Sequence, residues 1–208
     1  AYFKNINTIG ASFLRGCKSL EKLNLNGFDN VTVIPNSFLV DCWLLDDLRG
    51  LEKFTKVTTI GDYFLDACTM LNEIDMRPFG QLTAVGDYFL SDCTSLEDLK
   101  LPTSLQSTGD YFLNDCIWLT ELDLSGLTSA TQFGKLFLNN CINLLDLKLP
   151  LTSGAIPALY SKTKEPLDAW GNFISYYNGG NFVIHCGSKL NDYKTAANWK
   201  LKDYLMVA

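Results

Sequence analysis

Apolar residues recur along this chain in a unit that returns about every 25 residues. Each unit reads Phe-Leu, two residues, Cys, two residues, Leu, two residues and an aliphatic residue. Its six copies are centred on Cys17, Cys42, Cys68, Cys93, Cys116 and Cys141. A unit of this length cannot bury its own apolar side chains, so the copies are expected to stack and share one continuous core.

The third copy shows which elements the pattern predicts within one coil. Residues 57–60 are β-branched and predict a short strand. Further along, Ile74 and Met76 alternate with Glu73 and Asp75, which predicts a second strand with its apolar side chains facing the core. The alternating polar side chains would then face solvent.

A glycine and an aspartate recur between the first strand and the Phe-Leu pair. They are Gly61, Gly86, Gly109 and Gly134, followed in three copies by Asp62, Asp87 and Asp110. Glycine suits a turn, and aspartate is a good cap for a one-turn helix that carries the Phe-Leu pair inward. The predicted fold is therefore a leucine-rich repeat, right-handed α/β solenoid of about six repeats, with short parallel strands and short helical corners.

The repeat pattern ends near Leu149, which divides the chain into two parts. Residues 1–149 hold the repeats, and residues 150–208 are predicted to form a degenerate repeat and a C-terminal cap. Within the cap, residues 181–186 predict a closing strand, and a helix is expected from Ser188 through Trp199. The probable inner face of that helix comprises Leu190, Tyr193, Ala197 and Trp199. Such a cap would cover the last open strand edge.

Charge and hydropathy exclude several classes of partner. The 208 residues include 17 basic and 23 acidic side chains, for a net charge of −6. An acidic protein repels phosphate backbones and anionic lipid headgroups, so nucleic acid and membrane surfaces are poor partners. The sequence has no stretch of about 18 consecutive apolar residues, so membrane insertion is not expected. The chain opens at Ala1, seven residues before the first repeat. Two explanations remain open, removal of a signal peptide with its adjoining region, or a fragment of a longer protein.

Six of the seven cysteines occupy equivalent positions and are predicted to be buried thiols. Equivalent residues of stacked coils lie about 4.8 Å apart with parallel side chains. A disulfide needs Cβ atoms about 3.8 Å apart that point toward each other. The six repeated cysteines should therefore form a ladder of small apolar side chains, and they leave the redox compartment open.

The repeated unit resembles the BspA-like leucine-rich repeats of treponemal and Bacteroides surface proteins. Its form, Ile-Gly-x-x-Phe-Leu-x-x-Cys-x-x-Leu-x-x-Leu-x-Leu-Pro, is similar to that family, and so is the ending from Gly187-Ser188 through Tyr193-Lys194 to Trp199. Two departures are Phe-Leu in place of Ala-Phe, and His185-Cys186 in place of Val-Pro. The resemblance implies a secreted or cell-surface bacterial protein that binds macromolecules, with no enzymatic activity and no cofactor.

Candidate chemistry is sparse. The single histidine, His185, adjoins Cys186, but neighbours on a strand face opposite sides and cannot form a nucleophile–base pair. Stacked aspartates at the corner and before the cysteines (Asp41, Asp92 and Asp115) suit turns and caps. Calcium, which takes oxygen ligands, is the alternative for them. No enzyme activity or metal site is predicted.

Tyrosines at equivalent positions form a further column, Tyr63, Tyr88 and Tyr111. Such a column either covers the core and stacks on itself, or presents rings on which sugars stack. Carbohydrate binding is therefore an alternative function, and a structural spacer in a longer surface protein is another.

The remaining candidate surface is the outward side of the main strand row, here called the strand face. Its residues are Lys22, Asn24, Asp47, Arg49, Glu73, Asp75, Asp98, Lys100, Glu121, Asp123, Asp146 and Lys148. Seven are acids and four are bases, and the middle is predicted to be negative. Six coils span about 29 Å, enough for a protein interface. The predicted function is non-catalytic recognition of a protein partner, as in adhesion at the cell surface.

Overall fold

The structure is a computed structural model that describes residues 3–159, 183–195 and 205–207. Short parallel strands from successive coils lie side by side, which confirms the predicted solenoid. The main row contains β1 (Lys22–Asn24), β3 (Asp47–Arg49), β5 (Glu73–Asp75), β7 (Asp98–Lys100), β8 (Glu121–Asp123), β10 (Asp146–Lys148), β12 (Val183–His185) and β13 (Leu205–Val207). A second row contains β2 (Val33–Ile34), β4 (Thr59–Ile60), β6 (Ala84–Val85), β9 (Gln132–Phe133) and β11 (Ala158–Leu159).

The main row is not one uninterrupted sheet. Parallel ladders join β1 to β3, β5 to β7, and β8 through β10 and β12 to β13. The ladder is interrupted between β3 and β5 and again between β7 and β8. In the second row, Ser107 bridges β6 and β9, so that row runs through the same coils without these gaps.

The core consists of the columns expected from the repeated unit. The rings of Phe38, Phe64, Phe89, Phe112 and Phe137 stack in sequence, with centroids 5.2–5.6 Å apart. The leucine and cysteine columns beside them are buried, apart from the first coil, where the cysteine is half-buried. Stacking equivalent side chains in this way removes the apolar face of each coil from water.

The cysteines are free thiols, and five of them donate a hydrogen bond to the preceding coil. The Sγ of Cys93 lies 3.1 Å from the carbonyl oxygen of Leu65, and that of Cys116 lies 3.1 Å from the carbonyl of Leu90. Burial raises the pKa of the Cys93 thiol, and it raises that of Cys141 to about 12. The predicted ladder of buried thiols is therefore confirmed from the second coil onward, and these five thiols also join neighbouring coils.

The helical corners expected from the sequence are not formed. In the described part of the chain, helix is confined to 3₁₀ turns at Leu51–Lys53 and Gly187–Lys189 and to α1 (Leu190–Thr195). At the corner of the third coil, Tyr63, Leu65 and Ala67 have positive φ angles of 61°, 55° and 57°. Their N–H groups donate alternately to the next coil and the preceding one, at 2.7–2.9 Å. These bonds between coils offset a backbone cost of roughly 1–2 kcal/mol per left-handed residue.

The corner aspartates also have a different role from the predicted helix cap. The Oδ1 of Asp62 accepts a hydrogen bond from the backbone N–H of Asp87 at 2.9 Å, and Asp87 accepts in the same way from Asp110. Each carboxylate thus holds the following coil. The adjacent glycines are required by close approach, because a Cβ on Gly86 would lie 2.6 Å from the backbone nitrogen of Asp62.

The C-terminal elements follow the predicted cap as far as they are described. The closing strand β12 pairs with β10, and β13, which the sequence analysis did not predict, pairs with β12. In α1 the side chain of Tyr193 is buried and its hydroxyl donates to the carbonyl of Pro150 at 2.9 Å. The rest of the expected helix, including Ala197 and Trp199, lies outside the described residues, as does 160–182. None of the described helices is long and apolar enough to cross a membrane.

Candidate binding surface

The twelve strand-face residues lie on six strands, β1, β3, β5, β7, β8 and β10, and point away from the core. Ten of them are exposed, whereas Asp47 and Asp146 are half-buried. The inward residue between each pair packs on the core; Ile74 of β5 and Leu122 of β8 are examples. Alternation along each short strand therefore produces the polar face, as expected for a half-buried strand.

Strand register sorts these residues into two columns with different charge patterns. The first runs Lys22, Asp47, Glu73, Asp98, Glu121, Asp146, and the second runs Asn24, Arg49, Asp75, Lys100, Asp123, Lys148. The first column holds five consecutive acids, whereas the second alternates in sign. Like charges directly opposite each other, such as Glu73 and Asp98, are destabilising by a few tenths of a kcal/mol or so.

Ion pairs neutralise part of the first column. The carboxylate of Asp98 lies 2.6 Å from the Lys100 ammonium. The carboxylate of Asp146 lies within hydrogen-bond distance, 2.9 Å, of the Nε2 atom of His185, and this contact is an ion pair only when the imidazole is protonated. Asp47 accepts from Arg49 at 2.7 Å, and this hydrogen bond lowers the pKa of Asp47.

The second column is also partly paired. Arg77, just after β5, binds Asp75 at 2.6 Å and lowers its pKa. The pKa of Asp123 is raised by burial, but hydrogen bonds from Ser125 and Lys148 outweigh that effect and lower it.

Two glutamates of the first column stand apart from these ion pairs. Glu73 and Glu121 have no ion pair with any other described residue, and both are exposed. The negative centre expected from the sequence is thus concentrated on these two side chains of the first column. Beside Glu73, where the ladder is interrupted between β3 and β5, a cleft of about 330 Å³ opens in the strand face.

Exposed apolar side chains lie in the turns that lead into these strands, and the sequence analysis missed them. They are Trp43, Leu44, Met70, Trp118 and Ile142, which are 36–56% exposed. Other copies carry polar residues here, such as Lys18 and Thr94. Indole rings at positions where copies such as the first and fourth carry polar residues were the sequence signal for this surface, because tryptophans are enriched at protein interfaces. The Lys18 ammonium lies 3.7 Å from the centre of the Trp43 ring.

The tyrosine column stacks on itself. Ring centroids are 4.7 Å apart for Tyr63 and Tyr88, and 4.4 Å apart for Tyr88 and Tyr111, with nearly parallel planes. Burial and the adjacent Tyr111 and Tyr63 raise the pKa of Tyr88. Both faces of the middle ring are covered, and a sugar needs such a face for stacking. The geometry favours packing over carbohydrate binding.

The other acidic residues are held in backbone contacts and local polar bonds. Asp41, Asp92 and Asp115 each have a φ near 55–58°, a left-handed conformation that aspartate tolerates better than most residues. Burial, followed by the charges of Asp92 and Asp41, raises the pKa of neighbouring Asp66 to about 7. Among the residues that the structure describes, no three His, Cys, Asp or Glu side chains are grouped as a metal site requires.

Comparison with known proteins points to one repeat family. A family model described as "BspA type Leucine rich repeat region" matches residues 2–78 and 41–158, with six copies of the repeat. Among solved structures, a leucine-rich repeat protein from Bacteroides ovatus is similar, with 16% identity and a TM-score of 0.46. That alignment covers 95% of this chain and 56% of the other. None of the curated proteins compared matches the sequence.

Proposed function

We propose that this chain, which belongs to the BspA-type leucine-rich repeat family, is a non-catalytic module that recognises another protein through its strand face. The resemblance drawn from the repeated unit is confirmed by the six matching copies. Repeat scaffolds of this kind present long surfaces rather than deep catalytic pockets. Membership of the family therefore supports a role in protein interaction.

The observation that carries the proposal is the column of five carboxylates beside exposed indole rings. Charged columns speed encounter with an oppositely charged partner, and desolvated aromatic side chains supply much of the affinity of protein interfaces. Glu73 and Glu121 provide exposed carboxylates that have no ion pair with another described residue, and Trp118, 56% exposed, provides an anchor. The partner we propose is a protein with a basic patch that meets the strand face.

We further propose that the module acts in a secreted or cell-surface protein of a bacterium, for example in adhesion. The support is the resemblance of the repeat and of the ending around Tyr193 to surface proteins of this family. Protease treatment of intact cells, followed by detection of the chain with an antibody, tests this location. Loss of the signal from intact cells is expected, and full protection would contradict a surface location.

Association kinetics test the binding surface. A partner recovered by cross-linking is titrated against the chain at several salt concentrations, and the Glu73→Lys/Glu121→Lys variant is compared with it. We expect the on-rate to fall with salt and to fall about tenfold or more in the variant. Asp29→Lys is the control, because Asp29 is exposed but lies outside the strand face.

An on-rate unchanged by both salt and the double reversal would contradict the strand face as the binding surface. A glycan array separates this function from carbohydrate binding. Sugar binding that is lost in Tyr88→Ala and retained in the double reversal would assign the function to the tyrosine column instead. A chain that binds neither proteins nor glycans would be a structural spacer.

A further inference from the structure

The interruption between β3 and β5 has the shape of a binding site. Each strand pairs on one side only, β3 with β1 and β5 with β7, although the two belong to consecutive coils. The cleft between them has Leu48 and Leu51 on one side and Ile74 and Pro78 on the other. At about 330 Å³ it falls at the small end of ligand pockets, large enough for one long side chain with its backbone.

The sequence of the second repeat causes the interruption. Gly50 stands where other copies have Met76 or Leu124. Each of these two residues directly follows its strand, and its backbone N–H donates to a carbonyl of the next coil at 2.7–2.8 Å. Gly50 has a φ of 90° and makes no such bond to β5; the chain turns instead into the 3₁₀ turn Leu51–Lys53. A side chain at Gly50 would collide with the backbone of Leu25, so this turn depends on glycine.

The interruption leaves a strand edge of β5 facing the cleft. Asn72 accepts a backbone bond from Asp98, and Met76 donates one to Lys100, so the even-numbered residues of this segment direct their backbone groups toward β7. Backbone direction alternates along a strand, and the groups of Glu73 and Asp75 therefore point toward β3. An edge of this kind accepts an additional extended segment through main-chain hydrogen bonds.

The charge of the cleft selects the side chain that such a segment would carry. Four carboxylates line it, those of Glu52, Glu73, Asp75 and Asp98, against a single lining cation, Lys100. That cation is already 2.6 Å from Asp98. Arg77 binds Asp75 at 2.6 Å, and the ammonium of Lys53 lies 3.8 Å from the carboxylate of Glu52. Glu73 is therefore the lining carboxylate without an ion pair among the described residues, and it is the one available to a cation from outside. A planar guanidinium donates to two carboxylate oxygens at once, which an ammonium does not match.

We propose that this cleft receives an extended, arginine-bearing segment of the partner protein. The segment lies along the edge of β5, and its guanidinium binds the carboxylate of Glu73. This inference rests on the proposed function, that the strand face binds a protein, and it adds the chemistry and the place of the contact.

A short peptide tests the cleft without the partner. The probe is the capped pentapeptide Thr-Val-Arg-Val-Thr, titrated into ¹⁵N-labelled protein and followed by NMR. The companion peptide replaces arginine with citrulline, which keeps the shape and removes the charge. We expect shifted amide signals at Leu48, Glu73 and Asp75, and roughly tenfold weaker binding of the citrulline peptide.

The same substitution, glutamate to glutamine, at two positions of the acidic column locates the contact. Glu73→Gln should weaken binding of the arginine peptide roughly tenfold. Glu121→Gln should leave it unchanged, because Glu121 stands in the same column without an ion pair but outside the cleft. Both residues are exposed, so both variants should fold.

The outcomes separate this inference from the proposed function. Equal weakening by the two variants, or shifted signals spread along the whole acidic column, would overturn the cleft and leave strand-face recognition standing. Absence of binding by the arginine peptide would overturn the cleft as well. Peptide binding confined to the cleft, together with a partner on-rate that falls in Glu73→Lys and is unchanged in Glu121→Lys, would support the cleft and refute the broader strand-face proposal.

Discussion

Replacing Gly86 with alanine should strongly destabilise the solenoid. An ideal Cβ at this position lies 2.6 Å from the backbone nitrogen of Asp62 and 2.6 Å from the carbonyl carbon of Gly61, whereas ordinary contacts begin at 3.4 Å. Both atoms belong to the backbone of the preceding coil. A change of side-chain rotamer therefore cannot relieve the contact, and the two coils must separate.

The size of the effect follows from the bonds that this separation breaks. Restoring a 3.4 Å contact moves the coils apart by about 0.8 Å at the corner. The Gly86–Ile60 and Leu90–Phe64 backbone bonds, both 2.9 Å, would then lengthen beyond hydrogen-bonding range. Each contributes about 1 kcal/mol net, and overpacking adds about 1–3 kcal/mol. We expect the free energy of unfolding to fall by about 3–5 kcal/mol.

Urea denaturation followed by circular dichroism measures this change, with Gly80→Ala as the matched control. Gly80 belongs to the same repeat, and nothing lies within 4 Å of its ideal Cβ. The control shares the effect of alanine on the unfolded chain, and its stability should change by less than about 1 kcal/mol. A loss below about 1 kcal/mol in Gly86→Ala, with an unchanged m-value, would refute the close approach of the coils.

Three further predictions follow from buried or exposed side chains. Burial and the charge of Asp92 raise the pKa of Asp66 to about 7. The protonated Asp66 side chain therefore stabilises the fold below about pH 4, and this stabilisation is lost as the pH rises to about 7. Asp66→Asn should reduce the fall in melting temperature over that range, and a pH profile of melting temperature that the variant leaves unchanged would contradict the burial of Asp66. The Cys93 thiol should react with a thiol reagent only on unfolding, and rapid labelling of more than the half-buried Cys17 in the native protein would refute the buried ladder. Trp118→Ala should change the free energy of unfolding by less than about 0.5 kcal/mol yet weaken partner binding about tenfold or more, and a large loss of stability would show that the indole is part of the core.

The core could be predicted from the sequence because its apolar residues recur at the same positions of every repeat. Phe89, Leu90 and Cys93 recur at fixed spacing in every copy, and one buried column follows from each recurring apolar type. The corner could not be predicted in the same way. Aspartate after glycine suits both a helix cap and a carboxylate that holds the next coil, and the choice depends on hydrogen bonds between coils.

The corner did leave one sequence signal that the helical interpretation overlooked. The residue before each repeated cysteine is glycine, aspartate, asparagine or alanine, as at Gly16, Asp41 and Asn140. Glycine, aspartate and asparagine are the residues that best tolerate a left-handed backbone, and all three positions have φ angles of 57–74°. A repeated preference of this kind indicates left-handed positions rather than the start of a helix.

The sequence by itself determined the repeat, the buried columns and the set of residues that face outward, because period and alternation are properties of neighbouring residues. Only the tertiary structure decided which outward residues meet. Register between coils set Glu73 opposite Asp98 and placed Lys148 3.0 Å from Asp123 of the preceding coil, and it left Glu73 without an ion pair among the described residues. The cleft beside Glu73 arises where Gly50 stands in place of Met76 or Leu124, whose N–H groups bond to the next coil. Charge and binding geometry on this surface depend on distances between coils, and those are fixed only when the coils stack.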